Sequence, residues 1–159
     1  MGTAVDALRR ILRELRLAAG ATQKRAGISA AQLYVLQALA DGLKASLSDI
    51  AARTLTDRTS VAAVVERLVE AQLVSRQTAS SDRRRAAIAI TRTGRALLKR
   101  APLPPTARLI AGLDALHDRE LLPLAEGLVA LARAMGVGDQ PAGMLFEDVR
   151  RPPRKRAVE

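Results

Sequence analysis

The amino-acid sequence predicts a mainly α-helical fold that carries one small β-hairpin. Apolar residues recur at helical spacing along most of the chain, and only a short stretch near the middle alternates. The apolar fraction is 48%, yet Tyr34 and Phe146 are the only aromatic residues, so the core must be aliphatic, which suits helices. At 159 residues the chain is long enough for one domain with a core and an appended oligomerisation element.

Periodicity and capping residues place two helices at the N-terminal end. Residues 6–19 carry one apolar stripe, and the Gly- and Ala-rich stretch 19–27 is expected to break this helix. Ser29 followed by Gln32 has the spacing of a capping box, which predicts a second helix to about Ala40.

A short third helix is predicted from Ser46 or Leu47, and a fourth follows an N-cap at Asp57. We expect the Asp57 carboxylate to accept a hydrogen bond from the backbone N–H of Thr59 or Ser60. The fourth helix has an apolar and a polar face. Its inward residues are predicted to be Val61, Val64, Val65 and Leu68, and its outward residues Arg58, Thr59, Ala62, Ala63, Glu66 and Arg67.

A β-hairpin follows the fourth helix in this prediction. Residues 73–78 form the first strand, residues 86–90 form the second, and residues 80–82 are turn material. Period-two alternation puts Ile88 and Ile90 on one face, which we expect to be buried.

Three helices are predicted after the hairpin. Thr91 caps the first, and the prolines at 102–105 end it, because proline lacks the N–H and clashes with the preceding turn. The second begins near Thr106, and the third runs from an N-cap at Asp118 to about Met135.

The basic residues are concentrated in two segments. The formal net charge is +10; residues 76–100 hold eight basic residues against one acid, and residues 150–159 hold five against one. Because the rest of the chain is close to neutral, the pattern favours contact with a polyanion, above all nucleic acid. A solvated, arginine-rich surface is the alternative.

The composition also excludes several classes of protein. Cysteine is absent, which excludes disulfides, thiolate metal sites and thiol redox sensing. A membrane span and a signal peptide are not indicated, which favours a cytoplasmic protein. We expect neither an enzyme nor a cofactor or metal, since catalytic motifs and His/carboxylate clusters are lacking, and His117 is expected to be a cap or surface residue.

The hairpin region carries a pattern of its own. Residues 80–94 read SSDRRRAAIAITRTG, in which Asp82, Arg84, an apolar alternation, Thr91 and Gly94 follow in that order. With the helix pair before it, this pattern resembles the winged helix-turn-helix of the MarR family of regulators. The similarity extends more weakly from about residue 6 to residue 135. It implies a DNA-reading helix beside a β-hairpin wing, and an intertwined dimer platform formed by the first and last helices.

The resemblance implies roles in DNA contact that the side-chain chemistry supports. The start of the fourth helix would enter a major groove. Arg84 would enter the adjacent minor groove, where negative potential is concentrated, and Asp82 would orient it through a charge-assisted hydrogen bond. The full predicted set is Arg58, Thr59, Ser60, Arg67, Arg83, Arg84 and Arg85, with Arg83 and Arg85 at flanking phosphates.

Several positions depart from the family pattern. Ala62 and Ala63 stand where relatives often have polar or basic residues. We therefore expect few direct contacts to bases, and recognition that depends more on DNA shape and on phosphate contacts. Gln72 stands where relatives often have glycine, so a left-handed turn there would be mildly strained. The prolines at 102–105 break what is often a longer helix.

The resemblance further implies a small effector, commonly an aromatic acid, bound between the platform and the winged lobe. Such a ligand weakens DNA binding if its affinity differs between the two conformations. The sequence does not place the pocket. Tyr34 is a candidate lining residue, although a core tyrosine with a satisfied hydroxyl is favoured.

These observations predict a homodimeric, sequence-specific transcriptional regulator, a repressor released by a small aromatic or amphipathic effector. Its partner is double-stranded DNA at a pseudo-palindromic operator. Residues 1–27 and 101–138 are assigned to dimerisation, 28–100 to DNA binding, and 139–159 to an irregular basic tail. The alternatives are a low-specificity nucleoid-associated protein without an effector and, less favoured, a winged-helix module that binds protein.

Overall fold

The computed structural model describes residues 2–78, 86–140 and 142–147. Within these ranges, seven helices and two strands follow the chain. In order they are α1 (Gly2–Ala26), α2 (Ala30–Ala38), α3 (Leu47–Thr54), α4 (Arg58–Glu70), β1 (Val74–Thr78), β2 (Ala86–Ile90), α5 (Arg92–Arg100), α6 (Pro105–Asp114) and α7 (Asp118–Ala134). The predicted mainly α-helical fold with a small hairpin is confirmed.

The hydrophobic core lies in the middle of the chain, where α2, α3 and α4 pack on one another and on the hairpin. The residues predicted to face inward on α4 and β2 are confirmed, because all of them are buried, and three leucines of α2 and its C-cap are buried with them. These residues are Leu33, Leu36, Leu39, Val61, Val64, Val65, Leu68, Ile88 and Ile90.

The two strands pair antiparallel, with Val74 opposite Ile90 and Arg76 opposite Ile88. The sequence did not reveal a further contact, an isolated bridge between Ala45 and Ile88. The Ala45 N–H donates to the Ile88 carbonyl at 2.9 Å, and the Ile88 N–H donates back at 2.8 Å. A bridge of one residue has no periodicity, so the pattern could not predict it, yet it ties β2 to the chain just before α3.

Capping boxes fix the starts of α2 and α3. As predicted, the Ser29 hydroxyl accepts from the Gln32 N–H at 3.2 Å, and the Gln32 amide oxygen accepts from the Ser29 N–H at 2.8 Å. Ser46 and Asp49 repeat this arrangement at α3. Each cap satisfies helix-end N–H groups that would otherwise lack partners, which stabilises a helix by about 1 kcal/mol.

The predicted break at residues 19–27 is wrong, since α1 continues to Ala26. Gly20 lies inside the helix and costs about 1 kcal/mol relative to alanine, but the alanines around it are the best helix formers. The helix ends instead at Gly27, whose φ of 70° is the left-handed conformation that glycine adopts readily.

The predicted cap of the last helix is displaced by one residue. His117, not Asp118, is the N-cap of α7, and its backbone N–H donates to the Glu120 carboxylate at 3.1 Å. This agrees with the expectation that His117 is a cap or surface residue, and the acid three residues after it, Glu120, supplies the hydrogen bond.

α7 lies outside the core, because none of its residues is buried. Five of its apolar residues, counting the cap, nevertheless form one stripe with alternating spacings of three and four residues, the pattern of a helix that packs along another. We call this the α7 stripe: Leu121, Leu124, Leu128, Leu131 and the cap residue Met135. α1 likewise exposes large apolar residues, namely Val5, Leu8, Ile11, Leu12 and Leu17.

Gln72 has a φ of 57°, which confirms the left-handed turn expected between α4 and β1. We expect Gln72→Gly to stabilise the protein by roughly 0.5–1 kcal/mol, because glycine adopts this conformation without the steric cost of a Cβ. Thermal unfolding followed by circular dichroism would measure the change. Gln72→Ala is the matched control and should bring no gain, and a glycine variant that unfolds below the wild type would contradict the argument.

Candidate nucleic-acid interface

The first turn of α4 is organised by Asp57. One carboxylate oxygen accepts from the backbone N–H groups of both Thr59 and Ser60, at 2.8 and 2.9 Å. The other accepts from the Ser60 hydroxyl at 2.7 Å. These hydrogen bonds, first that of the Ser60 hydroxyl and then that of its N–H, hold the pKa of Asp57 below its ordinary value. The predicted cap is confirmed, and its carboxylate stays ionised near neutral pH.

The three candidate contact residues of this turn differ in exposure. Arg58 and Thr59 are exposed, whereas Ser60 is half-buried and its hydroxyl is already engaged with Asp57. Arg58 and Thr59 are therefore available to a groove, and Ser60 is better placed to hold the turn.

The outward face of α4 is less exposed to solvent than predicted. Ala62 and Ala63 are half-buried, and so is Arg67, which was expected on the exposed face. Arg67 lies one position before the buried Leu68 and close to the helix C-terminus, and its guanidinium Nη1 atom is shielded from solvent. Glu66 is exposed and pairs at 3.8 Å with Arg76 of β1.

The base of the wing is rigidly connected to the core. Ile88 and Ile90 are buried, and Ala45 pairs with β2 on the side away from β1. The predicted wing residues Asp82, Arg83, Arg84 and Arg85 lie outside the described residues. The described ends of the strands, Thr78 and Ala86, are paired with each other.

The family-pattern residues Thr91 and Gly94 join the wing to α5. The Thr91 hydroxyl lies 2.9 Å from the Gln72 carbonyl and 3.0 Å from the Leu73 carbonyl, as a donor, and accepts from the Gly94 N–H at 3.0 Å. A Cβ on Gly94 would overlap with the Leu73 carbonyl oxygen, so only glycine fits. This close approach gives a physical reason for the Thr and Gly of the pattern.

α5 adds basic charge beside the wing. Its exposed cations are Arg92, Arg95, Lys99 and Arg100, and the helix carries no acid. A phosphate backbone that runs along the wing would meet only positive charges on α5.

A cavity lies between the helix-turn-helix and α6. Its volume is about 270 Å³, and Tyr34, the turn after α3, α6 and residues 142–145 line it. Tyr34 is 8% exposed, and burial, followed by the charge of Asp114, raises the pKa of its phenol. In the described part of the chain the buried Thr106 hydroxyl has no hydrogen-bond partner. The sequence pointed to Tyr34 but gave no sign of Thr106.

Two searches of the described residues concern other kinds of site. Clusters of three or more histidine or acidic side chains suited to a metal ion are not found there. Nor does any helix in those ranges combine the length and apolarity that crossing a membrane requires.

Comparison with known proteins gives one family. The model of the MarR family matches residues 26–85, from the end of α1 to the residue before β2. No curated protein sequence matches the chain.

Solved structures extend the likeness beyond the matched region. A MepR-like protein complexed with pseudoligands gives a TM-score of 0.58 at 19% identity, over 84% of this chain and 94% of its own. A MarR-family transcription regulator gives 0.56 at 21% identity, over 84% and 89%. BpsR of Bordetella bronchiseptica, whose DNA binding is regulated by 6-hydroxynicotinic acid, gives 0.52 at 29% identity, over 84% and 98%.

Proposed function

Because this chain belongs to the MarR family of winged helix-turn-helix transcriptional regulators, we propose that it binds operator DNA as a homodimer and represses transcription in the cytoplasm. The observation that carries this proposal is the first turn of α4. Arg58 and Thr59 are exposed there on a helix whose opposite face is held in the core, with Val61 and Val64 fully buried. Such a helix can enter a major groove without disturbing the fold.

We assign the remaining contacts by their place around α4. Arg84 enters the minor groove beside the groove that α4 occupies, and Asp82 orients it. Arg83 and Arg85 contact flanking phosphates. Ser60 acts mainly by completing the cap, and half-buried Arg67 is the weakest member of the set.

The homodimer is supported by the α7 stripe. Four of its five members are at least 39% exposed, which is unusual for a regular apolar stripe, and the apolar residues of α1 are similarly open. A second copy of the chain would cover both surfaces, as the predicted division into a dimerisation region and a DNA-binding region requires. The two lobes would then read half-sites about one helical turn apart.

The cavity beside Tyr34 is our proposed effector site. It lies between α6 and the helix-turn-helix, where a bound molecule can change the angle of one against the other. Its apolar walls and the Thr106 hydroxyl suit a small aromatic or amphipathic molecule. The regulation of BpsR by an aromatic acid supports an effector of this class.

A low-specificity nucleoid-associated protein is the second candidate function. It is favoured by Ala62 and Ala63, which offer no hydrogen bonds to bases, and by the basic residues of 150–159. Comparing affinity for the DNA upstream of its own gene with affinity for a scrambled duplex separates the two. A ratio near one at physiological salt would favour the nucleoid protein.

We expect Arg84→Ala to weaken binding to the upstream duplex by about 2 kcal/mol, close to thirtyfold, because it removes a cation from the minor groove. Gel-shift titration measures the affinity, and light scattering checks that the oligomeric state is unchanged. Arg119→Ala on α7 is the matched control, since it removes the same charge from an exposed position on a helix that has no buried residue. Equal affinities for Arg84→Ala and the wild type would refute the assignment of the wing.

A further inference from the structure

The C-terminal residues 142–147, which we call the wall segment, fold back onto the winged lobe. Met144 is 6% exposed and belongs to the core cluster, although it lies more than 40 residues beyond the other members in the chain. The Glu147 N–H donates to the Met144 carbonyl at 3.1 Å and closes a turn. The wall segment forms neither helix nor strand, so its position depends largely on this buried side chain.

The wall segment closes one side of the proposed effector cavity. Residues 142–145 line that cavity together with Tyr34 of α2 and Thr106 of α6. In the part of the chain that the structure describes, the Thr106 hydroxyl is buried without a hydrogen-bond partner, which points to a ligand there. The cavity of about 270 Å³ is smaller than ordinary small-molecule sites of roughly 300–1,000 Å³, so a ligand of usual size requires one wall to move.

The wall segment also lies beside the first turn of α4. A Cβ on Gly143 would lie 3.6 Å from the Ser60 hydroxyl oxygen, an ordinary contact distance. That hydroxyl donates to the Asp57 carboxylate at 2.7 Å and so belongs to the cap that organises the turn. Arg58 and Thr59, which we propose enter the major groove, lie between these two cap residues in the chain. One segment therefore adjoins both the effector cavity and the DNA-reading end of α4.

The folded-back position of the wall segment is opposed by its own backbone. Phe146 has a φ of 63°, in the left-handed region that a bulky residue rarely adopts, because its Cβ then lies too close to the following carbonyl oxygen. Burial of Met144 favours the folded-back position, whereas the conformation of Phe146 disfavours it. Two opposing effects of this kind suit a segment that exchanges between two positions.

We propose that the wall segment is a gate that couples the effector cavity to α4, and that α4 binds DNA when the gate is closed. In the closed position Met144 is buried and Gly143 lies beside Ser60. In the open position both contacts are lost and the cavity is larger. A small molecule that fills the larger cavity holds the gate open and loosens the first turn of α4. The proposal rests on the proposed function of the cavity and of α4, and adds how the two sites are coupled.

The absence of cysteine from the chain allows the gate to be probed with a single thiol. In Met144→Cys the thiol should react with N-ethylmaleimide about tenfold more slowly than in Leu145→Cys, because a buried thiol reacts only when the segment opens. Leu145 is the matched neighbour, since it is 44% exposed in the closed position. Mass spectrometry of quenched samples gives both rates, and equal rates would overturn the closed position.

The left-handed conformation of Phe146 is tested in the Met144→Cys protein. There Phe146→Gly should slow the thiol reaction roughly threefold relative to Phe146→Ala, because glycine adopts a positive φ without the steric cost of a Cβ. Both substitutions remove the ring, so the difference between them reports the backbone alone. A glycine variant that reacts as fast as the alanine variant would overturn the opposition between Met144 and Phe146.

DNA tests the coupling between the gate and α4. A saturating amount of the upstream duplex should slow the reaction of Met144→Cys by roughly threefold to tenfold and leave Leu145→Cys unchanged, since DNA that binds the closed form lowers the population of the open form. Equal slowing of both thiols would mean that DNA merely covers the segment. No slowing of Met144→Cys would mean that α4 does not respond to the gate, and either result would overturn the coupling.

A second measurement serves if Met144→Cys does not fold. The chain has one tyrosine and no tryptophan, so its fluorescence comes from Tyr34, beside the gate. Acrylamide should quench this fluorescence less in Phe146→Gly than in Phe146→Ala, and equal quenching would overturn the gate. Neither this measurement nor the thiol rates without DNA depend on operator recognition. The regulator proposal fails separately, through the absence of a preference for the upstream duplex over a scrambled one.

Discussion

Gly94→Ala is expected to destabilise the protein by about 3 kcal/mol or more, at the upper end of what overpacking usually costs. The added methyl group would overlap with the Leu73 carbonyl oxygen and lie 2.9 Å from Ile90 Cγ1. Neither neighbour can move easily, because the Leu73 carbonyl accepts hydrogen bonds from the Thr91 N–H and hydroxyl, and Ile90 is buried. The start of α5 would have to move away from β1.

Thermal unfolding should show this as a fall in midpoint of about 6–12 °C for a chain of this size. Gly20→Ala is the matched control, since Gly20 is helical with open space where the Cβ would lie. It should stabilise α1 by up to about 1 kcal/mol. An unfolding midpoint for Gly94→Ala equal to that of the wild type would contradict the argument, because the chain around Thr91 and Gly94 would then accommodate the added methyl group.

Leu128→Glu is expected to convert the proposed dimer into a monomer at micromolar concentration. Leu128 is the middle member of the α7 stripe and is 50% exposed in the single chain. In a two-fold interface each dimer would bury two added carboxylates, a cost of several kcal/mol that surface pairing cannot offset. Light scattering coupled to size exclusion measures the mass directly.

DNA binding should fall in parallel. A monomer engages one half-site and loses the avidity of two linked lobes, so affinity for the upstream duplex should drop by roughly a hundredfold. Leu43→Glu is the control, because Leu43 is 62% exposed but lies in the loop before α3. A Leu128→Glu protein that remains dimeric would move the interface away from α7.

Much of the winged lobe could be predicted because its signals are local. Apolar spacing identified the inward face of α4, and Ser29 and Asp57 identified helix starts, since a cap involves residues only two or three positions apart. The left-handed turn at Gln72 was expected from the family resemblance, because relatives often have glycine at this position, and the φ of 57° confirms it.

What the sequence missed depends on contacts between distant residues. Met144 enters a core formed by residues 28–98, and no periodicity in its own neighbourhood marks it as buried. Ala45 pairs with Ile88 through a single bridge. For Tyr34, burial was foreseen but the cavity beside it was not. Such features follow from how elements meet in space.

The uneven distribution of burial along the chain has a consequence for how the protein folds. The winged lobe joins α2, α3, α4, the hairpin and α5, elements that are neighbours in sequence, so its search for native contacts is short and unimolecular. α7 has no buried residue in the single chain, and in the proposed dimer a second molecule would cover it. Assembly should therefore proceed in two kinetic stages, a fast one independent of protein concentration and a slower one that is second order in it.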